Sequence, residues 1–171
     1  ILSTASGLWQ ALTDAQRNAW DIYGAEKPRT DPLGQEYYLT GHQMYVALTS
    51  VVLDQGLAEN TDPPAGADPV VLLSLTVTLT SDTAISVVYT ATPLGAAAAL
   101  YVWQGPPQGG QGDPNFAQSR LAGYSAQAAA SPQVFTLPMT VSSGFTSNFW
   151  VGVVDGDGRT GPALKDSDTR P

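Results

Sequence analysis

One histidine, no cysteine and fifteen carboxylates are what this 171-residue chain offers for chemistry. A Ser-His-Asp relay needs an imidazole held between a nucleophile and an acid. His42 falls at the second position of a helix start, where a structural role is expected. The run Asp155-Gly156-Asp157-Gly158 has the look of a calcium loop. Such a loop needs oxygen ligands at alternating positions and a closing bidentate Glu. Here Arg159 occupies the third ligand position and no Glu follows. Asp-Gly between two strands is also a strong hairpin signal. Asp155 and Asp157 are therefore weak candidates for Ca2+, and the expectation is a plain turn with no metal and no cofactor. Glycoside hydrolysis needs two carboxyl groups held across a cleft, but Glu26, Glu36 and Glu59 fall in turn and linker segments and most aspartates in turns. Gly109-Gly110-Gln111-Gly112 is not followed by the Lys-Ser/Thr of a phosphate loop. No nucleophile–base or metal constellation assembles, and a non-enzymatic protein is expected.

Charge removes further classes. The formal net charge is -8, and only 13% of residues are charged. Lys27 and Lys165 are the only lysines. Without a basic cluster a polyanion finds no counter-charge, so nucleic acid is not an expected partner; an acidic membrane surface repels the chain for the same reason. No apolar run approaches the roughly 20 residues of a membrane span. Without cysteine, disulfides, thiolate-ligated zinc and iron–sulfur clusters are excluded. At 43% hydrophobic residues, the composition is that of a folded protein.

What remains is aromatic surface. The stretch LWQALTDAQRNAWDIYG, Leu8 to Gly24, carries Trp9, Trp20 and Tyr23 within a polar context. With Leu12 and Tyr45 they are candidates for an anchor onto a neighbour. A second set, Tyr101, Trp103 and Trp150, falls on alternate strand positions opposite apolar residues, which turns these rings outward. Each ring can bury roughly 150–250 Å², and a monomer rarely leaves several in water. A sugar-stacking platform is the competing use of that face.

The elements that must position these residues are legible in turn. Thr13 with Gln16, and Thr40 with Gln43, have the spacing of a capping box. They predict one helix from about Asp14 to Tyr23 or Gly24, and another from Gly41 to about Gln55. The second carries Met44, Leu48, Val51 and Val52 on one stripe; Leu39 before its cap and Met44 within it have staple spacing. Gly56 and Leu57 supply its stop. Between the two, Pro28 and Pro32 prevent a continuous helix. Ala58 to Pro69, with Pro63, Pro64 and Pro69, reads as a semi-extended linker.

Beyond Pro69 the apolar period changes to two. Leu73, Leu75, Val77 and Leu79 alternate with Ser and Thr, as do Ile85, Val87 and Tyr89. Further strands are predicted in ALYVWQG, QVFTLPM and SNFWVGVVD, with shorter ones in SRLAGYS and GPALKD. In them Leu100, Val102, Phe149, Val151 and Val153 point inward. Turn residues separate the runs, the pattern of an antiparallel β-sandwich. A Gly/Pro/Gln insertion, Gly105 to Gln118, is either a hairpin tip or a docking loop. The expected organisation is a helical segment over 1–57, a Pro-rich linker over 58–69 and a sandwich over 70–171. In class this is a short two-helix region followed by an all-β antiparallel domain.

FWVGVVDGDGRTGPAL, Phe149 to Leu164, resembles the end of a fibronectin type III module: an aromatic-x-Val-x-Val strand, Asp-x-x-Gly, then Ser/Thr-x-Pro. Phe149, Val151, Val153, Asp155, Gly158 and Pro162 carry that likeness, which implies a fibronectin- or immunoglobulin-like sandwich over Val70 to Pro171. The chain departs from the pattern in the Gly105 to Gln118 insertion and in lacking a Trp on the second strand. The helical part is similar to N-terminal segments of phage-like and environmental bacterial proteins. Its matching positions are Trp9, Leu12, Thr13, Gln16, Arg17, Ala19, Trp20, Gly41, Tyr45, Gly56, Pro63 and Pro64. Together these imply a structural protein of a virion (capsid decoration, minor capsid or tail-associated) or of a similar extracellular assembly. Its expected partners are further copies of itself or a capsid or tail protein. The alternative is an adhesion module that binds a cell surface or a glycan.

Overall fold

The computed structural model describes residues 1–31, 33–90, 94–109 and 116–171. The chain divides into two compact units, one of Ile1–Ala67 with Gly156–Arg159, the other of Asp68–Asp155 with Thr160–Pro171.

The first unit contains helices α1 (Leu2–Leu8), α2 (Asp14–Glu26) and α3 (Gly41–Asp54), with a 3-10 turn at Trp9–Ala11. A two-stranded ribbon joins β1 (Arg29–Thr30) to β2 (Glu36–Tyr37). Both capping boxes form: Thr13 Oγ1 accepts from the Gln16 N–H and Thr40 Oγ1 from the Gln43 N–H, while each Gln side chain accepts from the cap's own N–H. α3 ends as its sequence predicts. Gly56 adopts a positive φ of 76°, and the Leu57 N–H donates to Val52 O at 3.1 Å. α1 was not expected. Ile1 gives it no side-chain cap, and seven residues are too few to hold a helix by propensity. It forms because Ala5 is fully buried and the helix lies on α3.

α2 and α3 approach through glycines. A Cβ on Gly41 would lie 2.5 Å from the Asp21 backbone nitrogen, and one on Gly24 would lie 2.6 Å from Leu39 O. The Asp21 carboxylate accepts from the Gly41 N–H at 3.0 Å, a cap for α3 supplied by its neighbour. Leu12, Trp20, Met44, Tyr45 and Leu48 form the core of this unit, flanked by Leu8, Trp9, Tyr23, Leu39 and Val46.

In the second unit, the described residues form strands β3 (Ser74–Ser81), β4 (Ala84–Thr90), β5 (Ala98–Gln104), β6 (Arg120–Tyr124), β7 (Gln133–Thr136), β8 (Thr146–Asp155) and β9 (Leu164–Thr169). They make two sheets, β3-β4-β7 and β6-β5-β8-β9, with every pair antiparallel. Three strands facing four in this order is a fibronectin type III-like sandwich, as the Phe149 to Leu164 segment implies. Ile85, Val87, Leu100, Val102, Phe149, Val151 and Val153 fill the space between the sheets. Leu73 is an exception to the predicted alternation. The chain bends there before β3 begins, so Leu72 is buried and Leu73 is 78% exposed.

One side of the sandwich is closed by carboxylates. Asp166 Oδ2 accepts from the Val77 N–H and Asp168 Oδ2 from the Leu79 N–H, each at 2.7 Å. The edge of β3 thus finds acceptors on β9 without forming a ladder with it.

Candidate binding face

β5 and β8 lie side by side, and their register makes Trp103 and Trp150 direct cross-strand partners. Leu100, Val102, Phe149 and Val151 point into the core, so alternation turns both indoles to the outer surface, where they are half-buried. Phe116, from a 3-10 turn (Phe116–Gln118), joins them. Its ring is tilted against Trp103 at 5.8 Å and edge-on to Trp150 at 5.1 Å. Such edge-to-face contacts align the positive ring edge with the negative face. Phe116 itself stays 52% exposed, so the cluster keeps an apolar outer rim. The insertion therefore adds an aromatic ring to the face; its residues 110–115 lie outside the described residues.

Tyr101, two positions before Trp103, lies across Gly152. A Cβ there would sit 2.5 Å from the phenol ring carbon Cζ. The Tyr101 hydroxyl donates to Gly161 O at 2.9 Å, and burial pushes its phenol above the ordinary value. Tyr101 thus belongs to the sheet's own packing, and Trp103, Phe116 and Trp150 form the part open to a partner. Gly105 lies close to the same cluster, its Cβ position 3.0 Å from Trp150 Cζ3. Lys165 stands opposite Trp150 on β9 and is exposed. The outward positions that follow it are Ser167 and Thr169, while Asp166 and Asp168 turn toward β3. A single cation therefore borders the indoles along this strand.

The helical candidates sit differently. Trp20 is 1% exposed and Tyr45 fully buried, with Leu12 beside them. Trp20 meets Tyr45 edge-on at 5.3 Å and Tyr23 at 5.8 Å, while Trp9 lies 5.4 Å from Tyr45. The Trp20 indole donates to Thr61 O at 3.0 Å, and the Tyr45 hydroxyl to Glu59 Oε2 at 2.6 Å. Burial, followed by the Glu59 hydrogen bond and charge, raises the Tyr45 phenol well above its ordinary range. The anchor expected from Leu12, Trp20 and Tyr45 is thus corrected: these side chains are the interior of a small unit that has little else to bury. Trp9 and Tyr23 remain half-buried at its margin. Residues Glu59 and Thr61, read as linker, strap this core.

The helical unit exposes Ile1, Leu2 and Ile22 on and before its helices, and a second apolar group, Leu33, Tyr37 and Tyr38, at and just after its β1–β2 hairpin, which composition alone marked only as a turn. The Asp31 carboxylate accepts from the Leu33 N–H at 2.8 Å and the Gln35 N–H at 2.9 Å, while the Gly34 N–H donates to Asp31 O. This local network holds Leu33 outward at 84% exposure, with Tyr37 and Tyr38 also exposed. An Asp-x-Leu-Gly turn between two short polar runs was the available sequence signal.

Among the described residues, the other candidates for chemistry stand apart from one another. His42 is exposed, its Nε2 3.3 Å from Ser6 Oγ and its ring 5.3 Å from Trp9. Asp157 accepts from Asn60 Nδ2 at 3.0 Å and faces the Arg159 guanidinium at 3.7 Å. A cation there would compete with Arg159. Asp155 ends β8, and among the described residues no group of three His, Cys, Asp or Glu side chains could hold a metal ion.

No protein-family model matches the chain, and no curated protein matches it. Solved structures do. A fibronectin type III domain of human collagen XX is 18% identical, with 62% of this chain and 97% of that one covered and a TM-score of 0.37. The fibronectin type III domain of human fibronectin type III domain containing protein 3 is 13% identical, with 63% and 90% covered and a TM-score of 0.40.

Proposed function

We propose that this protein is a non-enzymatic assembly module, a structural component of a virion or of a similar extracellular assembly, which works by burying its outer sheet face against another protein subunit. The observation that carries this reading is the Trp103–Phe116–Trp150 cluster, which presents half-buried indoles and an exposed phenyl rim on the outside of a completed sandwich. Apolar rings at the centre of a patch with polar surroundings are the usual anchors of protein interfaces. A chain of net charge -8 with few lysines fits a solvated exterior around such a patch.

The same rings support a second reading, a glycan-binding adhesion module, because sugars also stack on indole faces. Sedimentation of the purified chain and a glycan array separate the two. The assembly reading expects concentration-dependent self-association, lost in Trp103→Ser/Trp150→Ser, and a blank array. The adhesion reading expects the reverse. A monodisperse monomer that is blank on the array refutes self-assembly and the adhesion reading together.

A further inference from the structure

We infer that the partner of the aromatic face is the β1–β2 hairpin of a second copy of this chain; this rests on the assembly reading above. The hairpin supplies the complementary shape. Leu33 at the ribbon's tip, Tyr37 on β2 and Tyr38 just after it are exposed apolar side chains, and the Asp31 carboxylate accepts from the Leu33 and Gln35 N–H groups beside the 84% exposed Leu33. Backbone N–H groups already paired with Asp31 before contact reduce the freedom lost on binding. Leu33 and tyrosine rings are the right size to rest on paired indoles beside the Phe116 edge.

Charge complements shape. On β2, Glu36 is exposed between the turn and Tyr37, and makes no ion pair among the described residues. The nearest cation of the ribbon, Arg29, is turned onto Met44, its Nη2 3.7 Å from Sδ. On the face, Lys165 is exposed beside Trp150 and is likewise without an ion pair among the described residues. An acidic, apolar ribbon tip therefore meets an aromatic face bordered by a lysine. Hairpin and face are different surfaces, so the contact can repeat from copy to copy. Three side chains on three rings bury less than the roughly 1,200–2,000 Å² of a stable interface, so each contact is weak and repetition strengthens it.

The test uses the full chain in sedimentation velocity over a concentration series. Leu33→Asp is expected to weaken self-association at least tenfold with melting temperature and far-UV CD unchanged, since the side chain touches little of its own fold. Glu36→Lys and Lys165→Glu should each weaken it about tenfold, because each places like charges at every junction. An equimolar mixture of these two variants should recover the wild-type behaviour, because every junction between unlike copies is then complementary. A wild type that self-associates but ignores Leu33→Asp overturns the hairpin and leaves the assembly reading standing. Weakened single variants that stay weak when mixed overturn the Glu36–Lys165 pairing and with it this inference. A wild type that is monomeric throughout removes self-assembly and the inference together.

Discussion

Gly152→Ala tests how the outer face is held. In β8, alanine should be better than glycine by about 0.5–1 kcal/mol, since glycine loses more backbone freedom on folding. Here the added Cβ would stand 2.4 Å from the Tyr101 hydroxyl and 2.5 Å from Cζ. No real side chain tolerates that, so the ring must swing off the strand. It then gives up the 2.9 Å hydrogen bond to Gly161 O, worth about 1 kcal/mol, and the packing of a half-buried ring, about 1–2 kcal/mol more. The balance is a net loss of about 1–2 kcal/mol. In a Tyr101→Ala background the obstacle is gone, and the same replacement should stabilise by about 0.5–1 kcal/mol. The sign therefore reverses between backgrounds, with a coupling of about 2–3 kcal/mol in a double-mutant cycle. Urea denaturation followed by tryptophan fluorescence measures all four proteins. Released from the sheet, the Tyr101 phenol should also titrate closer to an ordinary tyrosine, because burial raises it in the wild type. Equal costs for Gly152→Ala in both backgrounds would refute the reasoning.

Three further outcomes are expected. Asp166→Ala and Asp168→Ala each remove a carboxylate that accepts a 2.7 Å bond from the β3 edge; each should lose about 1–2 kcal/mol in denaturant melts, and the Asn variants, which keep an acceptor, should lose less. Thr13→Ala and Thr40→Ala break the two capping boxes and should each cost about 1 kcal/mol by thermal melting, while Ser, which keeps the hydroxyl, should be nearly neutral. The raised Tyr45 phenol stays neutral in the fold while an unfolded tyrosine ionises near 10; its contribution is fully present below that pH and lost as pH rises beyond it. An ultraviolet titration should therefore show Tyr45 and Tyr101 ionising above the ordinary tyrosine range, and Glu59→Gln should advance Tyr45 alone.

Much of the fold was legible because strands and capped helices write themselves locally. The Thr13 and Thr40 boxes, the Gly56 stop and the period-two runs of β3, β4, β5 and β8 depend on neighbours in the chain, and each formed. α1 was not legible: Leu2 to Leu8 lacks a cap and a stripe, and only the surface of α3 makes it helical. Leu73 misled because alternation was extended through a bend that no turn residue marks. The edge closure by Asp166 and Asp168 was hidden as well. Their alternation with Lys165 and Ser167 shows two faces, but the acceptor role exists only once β3 lies alongside. At the candidate face, the outward direction of Trp103 and Trp150 followed from period two alone. Phe116 did not, because a ring leaving an irregular loop has no period to orient it.

Aromatic residues of the same kind met opposite fates in the two units, and the reason is how much else each unit has to bury. A small helical unit gains too little from its aliphatic side chains to offset chain entropy. It therefore draws Trp20 and Tyr45 inward, and satisfies the indole N–H and phenol with Thr61 O and Glu59. The sandwich has no such need. Its interior is already filled by Val, Leu, Ile and Phe from facing sheets, with Val87, Leu100, Val102, Phe149 and Val151 fully buried. Trp103 and Trp150 contribute little to that core, and a rim phenylalanine that remains half in water contributes less. Aromatic area that a fold can do without is better accounted for by contact outside it. For this reason Trp103→Ser/Trp150→Ser should lower the stability of the sandwich by only about 2–4 kcal/mol, as for two half-buried rings, and leave it folded while changing its association. Trp20→Ser should instead unfold the helical unit.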